Sequence, residues 1–516
     1  MATVSMKKNP TKAILILLII FFFASCIFAL KNYKPTGTSH FQNGAVQFQP
    51  GSKKTPIQGQ ERHSISQNGG GNMRFGAADS KYSPFLTVYL MVFMGMIFFL
   101  LYSIKRKKII VENGNRKIVI FSILIIGLLL RLILSTVVEG YSGDISLFRN
   151  WASNAANNFP QFYENSRSSD YPPLYIYILF IIGKICSIGS LSTYYTLILK
   201  VPSIAADILT AYLIYRLAKK HLPFEMSLLM ILLYTFNPAV FIDSALWGQV
   251  DSFFTLLVVL SIYMICSGKP VFSSMLFTCS ILMKPQGIIF LPVLFFELVR
   301  RKKPVLFIKS VISALATAAV IVLPFSYNKG FLWILNLYSK AISEYPYASV
   351  NGFNFFNLIG GNYKQSSNTF FLLSYGTWGM IAIIAVTLFS WFVYVKSRNK
   401  IFALAAALIQ IAGVFTFSTG MHERYLFPAL ALSILCCACL KDRRFFILCM
   451  GYTITIYANV YSVLFGGSGG MNMTSGTHSI LSDGISLINI ILFIYLIKIS
   501  VDMVKSNKLT NNRNYM

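Results

Sequence analysis

Blocks of apolar residues, separated by short polar stretches, organise the chain from end to end. A helix needs about 20 consecutive apolar residues to cross a bilayer. Ala13–Leu30, Phe85–Ile104, Ile118–Val138, Val305–Leu323 and Leu481–Ile499 are of that kind, although isolated charges such as Arg131 and Lys309 interrupt two of them. Lipid offers the backbone no hydrogen-bond partners, so each segment must satisfy its own, which makes helices the spanning element. The pattern predicts an all-α, polytopic transmembrane protein with about 12–14 membrane segments.

The predicted organisation is an N-terminal anchor (1–30), an external linker (31–84), and an additional helix with its cytoplasmic loop (85–117). A helical module (118–325), an outer loop (326–369) and a C-terminal set of helices with a cytoplasmic tail (370–516) follow. The linker is rich in Gly, Gln, Asn and Ser, cannot bury a core and is expected to be disordered. Phe23-Ala24-Ser25-Cys26 resembles a lipoprotein cleavage site, but the apolar run continues to Leu30, which favours an uncleaved anchor.

Composition narrows the class. Hydrophobic residues make up 55% of the 516 positions and charged residues 12%, about half the charged share of soluble domains; a soluble helical core is excluded. The net charge of +28 would suit nucleic acid, but the basic residues sit in short clusters between apolar blocks: Lys105–Lys108, Lys219-Lys220, Arg300–Lys303, Lys396–Lys400 and Lys441–Arg444. Such clusters mark the cytoplasmic side of membrane proteins. The expected partner is the bilayer, and no nucleic acid is expected. The eight cysteines show no metal spacing, and Cys436, Cys437 and Cys439 lie in an apolar run as small hydrophobes.

The basic clusters also set an expected orientation. The N-terminus, with Lys7, Lys8 and Lys12, stays inside, and residues 139–170 form a first large outer loop. Lys219-Lys220 returns inside only if Tyr171–Ile188 is interfacial or re-entrant. Asp243 to Asp251 is then exposed outside. Lys284-Pro285-Gln286-Gly287 interrupts an apolar stretch and reads as the outer tip of two short helices, or as a kink in one. Residues 326–369 and Ser418–Arg424 are further outer loops. Asp144, Asp170, Asp243, Asp251, Lys284, Glu344, His422, Glu423 and Arg424 all fall on that side. Ionisable groups at membrane depth are costly unless they face water or a partner. The expectation is a multi-pass protein of the cytoplasmic membrane with a single outward-facing polar site.

Each motif has a bland reading beside the functional one. Asp144 is a general base at the membrane surface or the cap of the helix that follows. Asp170, before Pro172-Pro173, is a site residue or a cap. Trp247 suits the membrane interface anyway, whereas Gln249 and Asp251 beside apolar Phe253–Ile265 are harder to explain as anchors. Lys284 binds a phosphate or snorkels. His422-Glu423-Arg424 lacks the second His of a zinc protease motif, since position 426 is Leu. Its Arg and His suit a phosphate, or they anchor the interface. Gly466–Gly469 with His478 reads as a loop rather than a serine protease site.

Seven motifs then occur in one order: Gly143-Asp144 with Trp151, Asp170-Tyr171-Pro172-Pro173, Lys200-Val201-Pro202 with Asp207, and Asn237-Pro238 with Trp247-Gly248-Gln249-Val250-Asp251. Lys284-Pro285-Gln286, Tyr345 to Asn351 with Asn354, and His422-Glu423-Arg424-Tyr425 complete the series. Over roughly residues 118–500 the order resembles the bacterial GT-C integral-membrane glycosyltransferases related to the second mannosyltransferase of GPI-anchor synthesis. The resemblance implies inverting transfer of a sugar, typically mannose, from a polyprenyl-phosphate donor to an acceptor on the extracytoplasmic face. It implies that Asp144 is the catalytic base, that Asp251 is a second acid near the site, and that a non-crossing segment lies in the first outer loop, as Tyr171–Ile188 would. Asp170, Gln249, Asp251, Lys284, His422, Glu423 and Arg424 are the candidate substrate-binding residues. Many GT-C enzymes carry an adjacent acidic pair, but Asp144 is flanked by Gly143 and Ile145. The missing second acid counts against a divalent metal, which stays as the one open cofactor, and no nucleotide sugar or Gly-rich phosphate loop is required. The acceptor, whether glycan, lipid or protein, is left open.

Two other classes share the membrane layout. A lipid-linked glycan transporter should show internal repeats and charges at mid-membrane, and neither is evident. A polysaccharide polymerase or ligase uses similar donors and stays as the alternative.

Overall fold

A computed structural model of the chain describes residues 10–35, 80–166, 169–466 and 479–513. Among these residues, ten helices are long and apolar enough to cross a membrane, and four shorter apolar helices accompany them. The chain is an all-α polytopic membrane protein. Most of the predicted linker and most of the glycine stretch with His478 lie outside the described residues.

The first half comprises α1 (Pro10–Lys31), α2 (Ser83–Lys105), α3 (Arg116–Val137), α4 (Ser142–Asn157), α5 (Phe162–Asn165), α6 (Pro173–Cys186), α7 (Tyr195–Ala218) and α8 (Phe224–Thr235). A short α9 (Pro238–Phe241) leads into a π-helical turn, Ile242–Trp247. Next come α10 (Asp251–Cys266), α11 (Pro270–Met283), a 3-10 turn over Pro285–Phe290, α12 (Leu291–Arg301) and α13 (Pro304–Val322). Two amphipathic pieces, α14 (Trp333–Ser343) and α15 (Phe355–Leu358), lie in the following loop. The chain closes with α16 (Tyr375–Ser397), α17 (Ala403–Phe417), α18 (Pro428–Cys439), α19 (Arg444–Phe465) and α20 (Ile480–Arg513).

Depth in the bundle follows side-chain size. Nearly every residue of α17 and α18 is buried. The alanines of α17 and Gly413, where a Cβ would lie 2.6 Å from Val386, let neighbouring helices approach closely, as small residues do in membranes. In α13, Ser310 alone is fully buried; one face packs on α11 and the other is exposed. The isolated charge inside α3 finds its partner on α7: Arg131 Nε lies 2.8 Å from Asp207 Oδ2, with both side chains fully buried. Ser244 donates to the same oxygen at 2.6 Å.

Three helices show how charge is sorted between the bundle ends. α10 starts at Asp251 and ends near the basic clusters, where Cys266 meets the Lys400 carbonyl. α11 runs back and stops immediately before Lys284, and α18 begins just after Arg424 and ends just before Lys441. The acids and the His422–Arg424 stretch thus share one end, here called the acidic end, and the basic clusters share the other. α6 stays at the acidic end. It packs along α4, with Gly183 against the Ala152 carbonyl, and its exit leads to the start of α7. Lys200, early in α7, still reaches carbonyls of that end, at 2.6 Å from Val138 and 2.8 Å from Ala245.

The expected break at Lys284 is present as two short helices joined by the 3-10 turn. The stretch from Asp243 to Asp251 departs from expectation. It is buried, not exposed: Asp243 has no accessible surface, and Asp251 is 3% exposed. The π-helical turn packs against α3, α7 and α19, which cover it.

Candidate active site

Asp144 sits in the first turn of α4 and is half-buried. Its Oδ2 accepts from Trp247 Nε1 at 2.7 Å and from Gln249 Nε2, leaving Oδ1 toward the open side. Tyr141, not Asp144, holds the N-cap position of α4, so the capping alternative does not describe this residue. Two glycines make the contact possible. Gly140 and Gly248 have φ of +112° and +91°, the left-handed region that favours glycine. A Cβ at Gly140 would lie 2.4 Å from the Trp247 carbonyl, and one at Gly248 would lie 2.8 Å from Ile145. The loop entering α4 and the loop leaving the π-helical turn are therefore pressed together, and Tyr141 N donates to Trp247 O at 3.3 Å.

Beside this pair lies a charged cluster. Asp251, the first residue of α10, accepts from Lys284 Nζ at 2.7 Å, and its second oxygen is 3.4 Å from Arg424 Nε. Arg424 also pairs with Glu423. The guanidinium lies 5.3 Å from the centre of the Trp247 ring, so the side chain that holds Asp144 also faces the cation. Lys284 Nζ is 5.7 Å from the Tyr425 ring. These side chains are nearly buried, and at such depth a charge persists only with a partner.

His422 stacks between Tyr345 and Tyr425 at centroid distances of 4.6 and 4.8 Å. Burial, then the charges of Arg424 and Lys284, hold its imidazole well below the ordinary value, so it is neutral at physiological pH. The His422 strand bridges to Val350 and Asn351 of the 326–369 loop, which brings that loop to the site. Asp170 lies at the rim and is hydrogen-bonded to Glu344 of the same loop. Burial raises Asp170, and Glu344 is pushed up to about 7, by burial first and then by Asp170. Two carboxyls this close share a proton rather than ionise together. Asp170 is not a cap, because the N-cap position of α6 belongs to Pro172.

The structure thus joins Asp144, Gln249, Asp251, Lys284, Glu423 and Arg424 in one constellation, with His422 and Asp170 at its edges. Asp243 is buried within electrostatic reach of Asp251, Arg424 and Lys284 but joins none of these pairs, with neither oxygen hydrogen-bonded. Trp247 is what sequence reasoning missed: its membrane-interface reading concealed a hydrogen-bond donor to Asp144. Tyr171, whose hydroxyl is 3.5 Å from Gln249 Oε1, was seen only as part of a proline motif. A signal for Trp247 did exist in its spacing to Gln249, since alternate residues of a tight turn point the same way. Among the described residues, no three His, Cys, Asp or Glu side chains group as metal ligands.

Residues 132–300 match the family of the alpha-(1->6)-mannopyranosyltransferase N-terminal domain. This stretch contains Asp144, Trp247, Gln249, Asp251 and Lys284 but ends before His422–Arg424. The match supports a GT-C-like glycosyltransferase with a mannosyl-transfer function in general terms. No curated protein matched the chain.

Proposed function

We propose, on the premise that residues 132–300 carry a mannosyltransferase-family domain, that the protein moves a mannosyl residue from a polyprenyl-phosphate donor to an acceptor hydroxyl on the extracytoplasmic face, with inversion. One observation carries the reading: a carboxylate with one oxygen held by two donors and the other open stands beside two nearly buried cations. Asp144 Oδ1 takes the acceptor proton as the hydroxyl oxygen attacks the anomeric carbon from the face opposite the phosphate. The bond from that carbon to the phosphate oxygen breaks, and the electron pair leaves with the polyprenyl phosphate. Lys284 and Arg424 face that growing negative charge, and Asp251 keeps both in place. Trp247 and Gln249 fix the carboxylate in the orientation that accepts a proton. A prenyl chain lies in lipid, which suits a site at one end of a membrane bundle.

The test is transfer by the purified protein from polyprenyl-phosphate mannose to candidate glycan, lipid and protein acceptors, beginning with the linkage in the family's name, alpha-(1->6). Inversion is read from the anomeric configuration of donor and product by NMR. Turnover of a nucleotide sugar with no lipid-linked donor present would overturn the donor assignment. A cysteine at exposed position Ser142 that reacts with impermeant reagents only from inside the cell would overturn the orientation.

A further inference from the structure

The basic end of the bundle contains a cavity of about 700 Å³, within the usual size of small-molecule sites. Its wall is built from the end of α2 with the loop after it, the α7–α8 loop, and the α18–α19 loop. Lys105, Lys107, Lys441, Arg443 and His221 line it against one carboxylate, Glu225. That carboxylate is turned elsewhere: Val111 N lies 3.4 Å from it and Arg116 lies 4.0 Å. The neighbouring Asp442 is occupied by Arg444 at 2.8 Å. None of the four formal cations forms an ion pair among the described residues.

One observation separates this cluster from ordinary topological anchoring. Its charges surround a cavity, whereas Arg300 and Arg301 at the same end are paired with Glu297 at 2.7 and 2.6 Å. The field is unbalanced enough to reach His221, whose imidazole is held below its ordinary value by burial and then by Lys441 and Lys220. The remaining wall is apolar, formed by Ile104, Ile109, Ile110, Leu222 and Met226.

We propose that this cavity binds an anionic phospholipid of the adjoining leaflet, its phosphate among the four basic side chains and its glycerol and first acyl carbons against the apolar wall. Basic pockets between membrane helices suit anionic head groups. The lipid would hold together three segments whose like charges otherwise repel. It would therefore raise the stability of the folded state as its concentration rises.

The test uses the full chain purified in phosphatidylcholine nanodiscs, with phosphatidylglycerol added stepwise and read by thermal unfolding and by native mass spectrometry. The wild-type protein should gain stability and retain a bound phosphatidylglycerol. The Lys107→Gln/Lys441→Gln/Arg443→Gln variant should need roughly a hundredfold more lipid for the same gain. A Lys302→Gln/Lys303→Gln/Lys396→Gln variant, which loses as much charge from the same end outside the cavity, should titrate like wild type. Because neutralised loops can disturb folding, Ile110→Glu gives a second reading: this position is 74% exposed, and the new anion at the lip should weaken binding while every basic residue remains. Equal titration of the cavity variant and its control overturns the proposal, as does an Ile110→Glu protein that binds like wild type. Stabilisation by phosphatidylcholine alone, or by millimolar inorganic phosphate to the same extent, overturns the lipid assignment.

Discussion

At the acidic end, Lys284 and Arg424 are nearly buried and share Asp251; at the basic end, Lys105, Lys107, Lys441 and Arg443 have no carboxylate partner among the described residues. The residue types are alike, and the difference lies in depth. A buried cation needs a partner, which for Lys200 is a set of backbone carbonyls and for Arg424 is a carboxylate and an aromatic face, with Trp247 5.3 Å away. At the rim, water screens each charge, and pairing is optional. Pairing therefore follows depth, at Arg131 and Asp207 as much as at Asp251, whereas a rim charge is left free to meet the membrane.

The comparison is broken most sharply at Asp144. Asp144→Asn keeps the Trp247 contact but removes the base, so mannosyl transfer should fall by about 10²–10⁴-fold, with the unfolding temperature nearly unchanged. A residual rate near wild type would mean that another group takes the proton. Next in size is Arg424→Gln, which strands Glu423 and leaves Asp251 to Lys284 alone. It should cost about 3–5 kcal/mol of stability, as the removal of one partner from a buried ion pair does, and activity should fall with it. Arg424→Lys should restore little, because a lysine lacks the planar fork that reaches two acids.

A smaller effect should follow pH through the rim. Glu344 is raised from 4.5 to about 7, by burial first and then by Asp170, so the folded state holds the shared proton more tightly than the unfolded chain. The contact between the two loops is at full strength below about pH 4.5 and is lost as pH rises through about 7. Hydrogen exchange in α14 should accelerate across that window in wild type and become flat in Glu344→Gln. Smallest of all, Lys302→Gln/Lys303→Gln at the exposed basic end should leave transfer rate and stability within about 0.5 kcal/mol of wild type.

Much of this arrangement was legible in the chain itself. The spacing of apolar blocks predicts the helices, and the break at Lys284-Pro285-Gln286-Gly287 appears where proline and glycine demanded it. The acids that basic clusters assign to one side do lie at one end. Illegible were the partners. Asp170 looked like a member of the central set, yet it pairs with Glu344 at the rim, because the 326–369 loop folds back over the site through contacts such as Val350 N to Met421 O at 3.0 Å. Asp243 looked exposed and is buried, because α3, α7 and α19 cover the whole π-helical turn.

Hydropathy and charge order alone determined that the chain is a helical membrane protein with its candidate site residues gathered at one end, since the cost of exposing backbone or charge to lipid acts on every residue wherever it stands. The tertiary structure decided which groups meet. Asp144 takes its donors from residues 103 and 105 positions away, and Asp251 takes Lys284 from 33 positions away. Those meetings depend on two glycines that let backbones touch and on helices that return to the same end. Hydrogen bonds and ion pairs act over about 3 Å, a distance that only the folded chain sets.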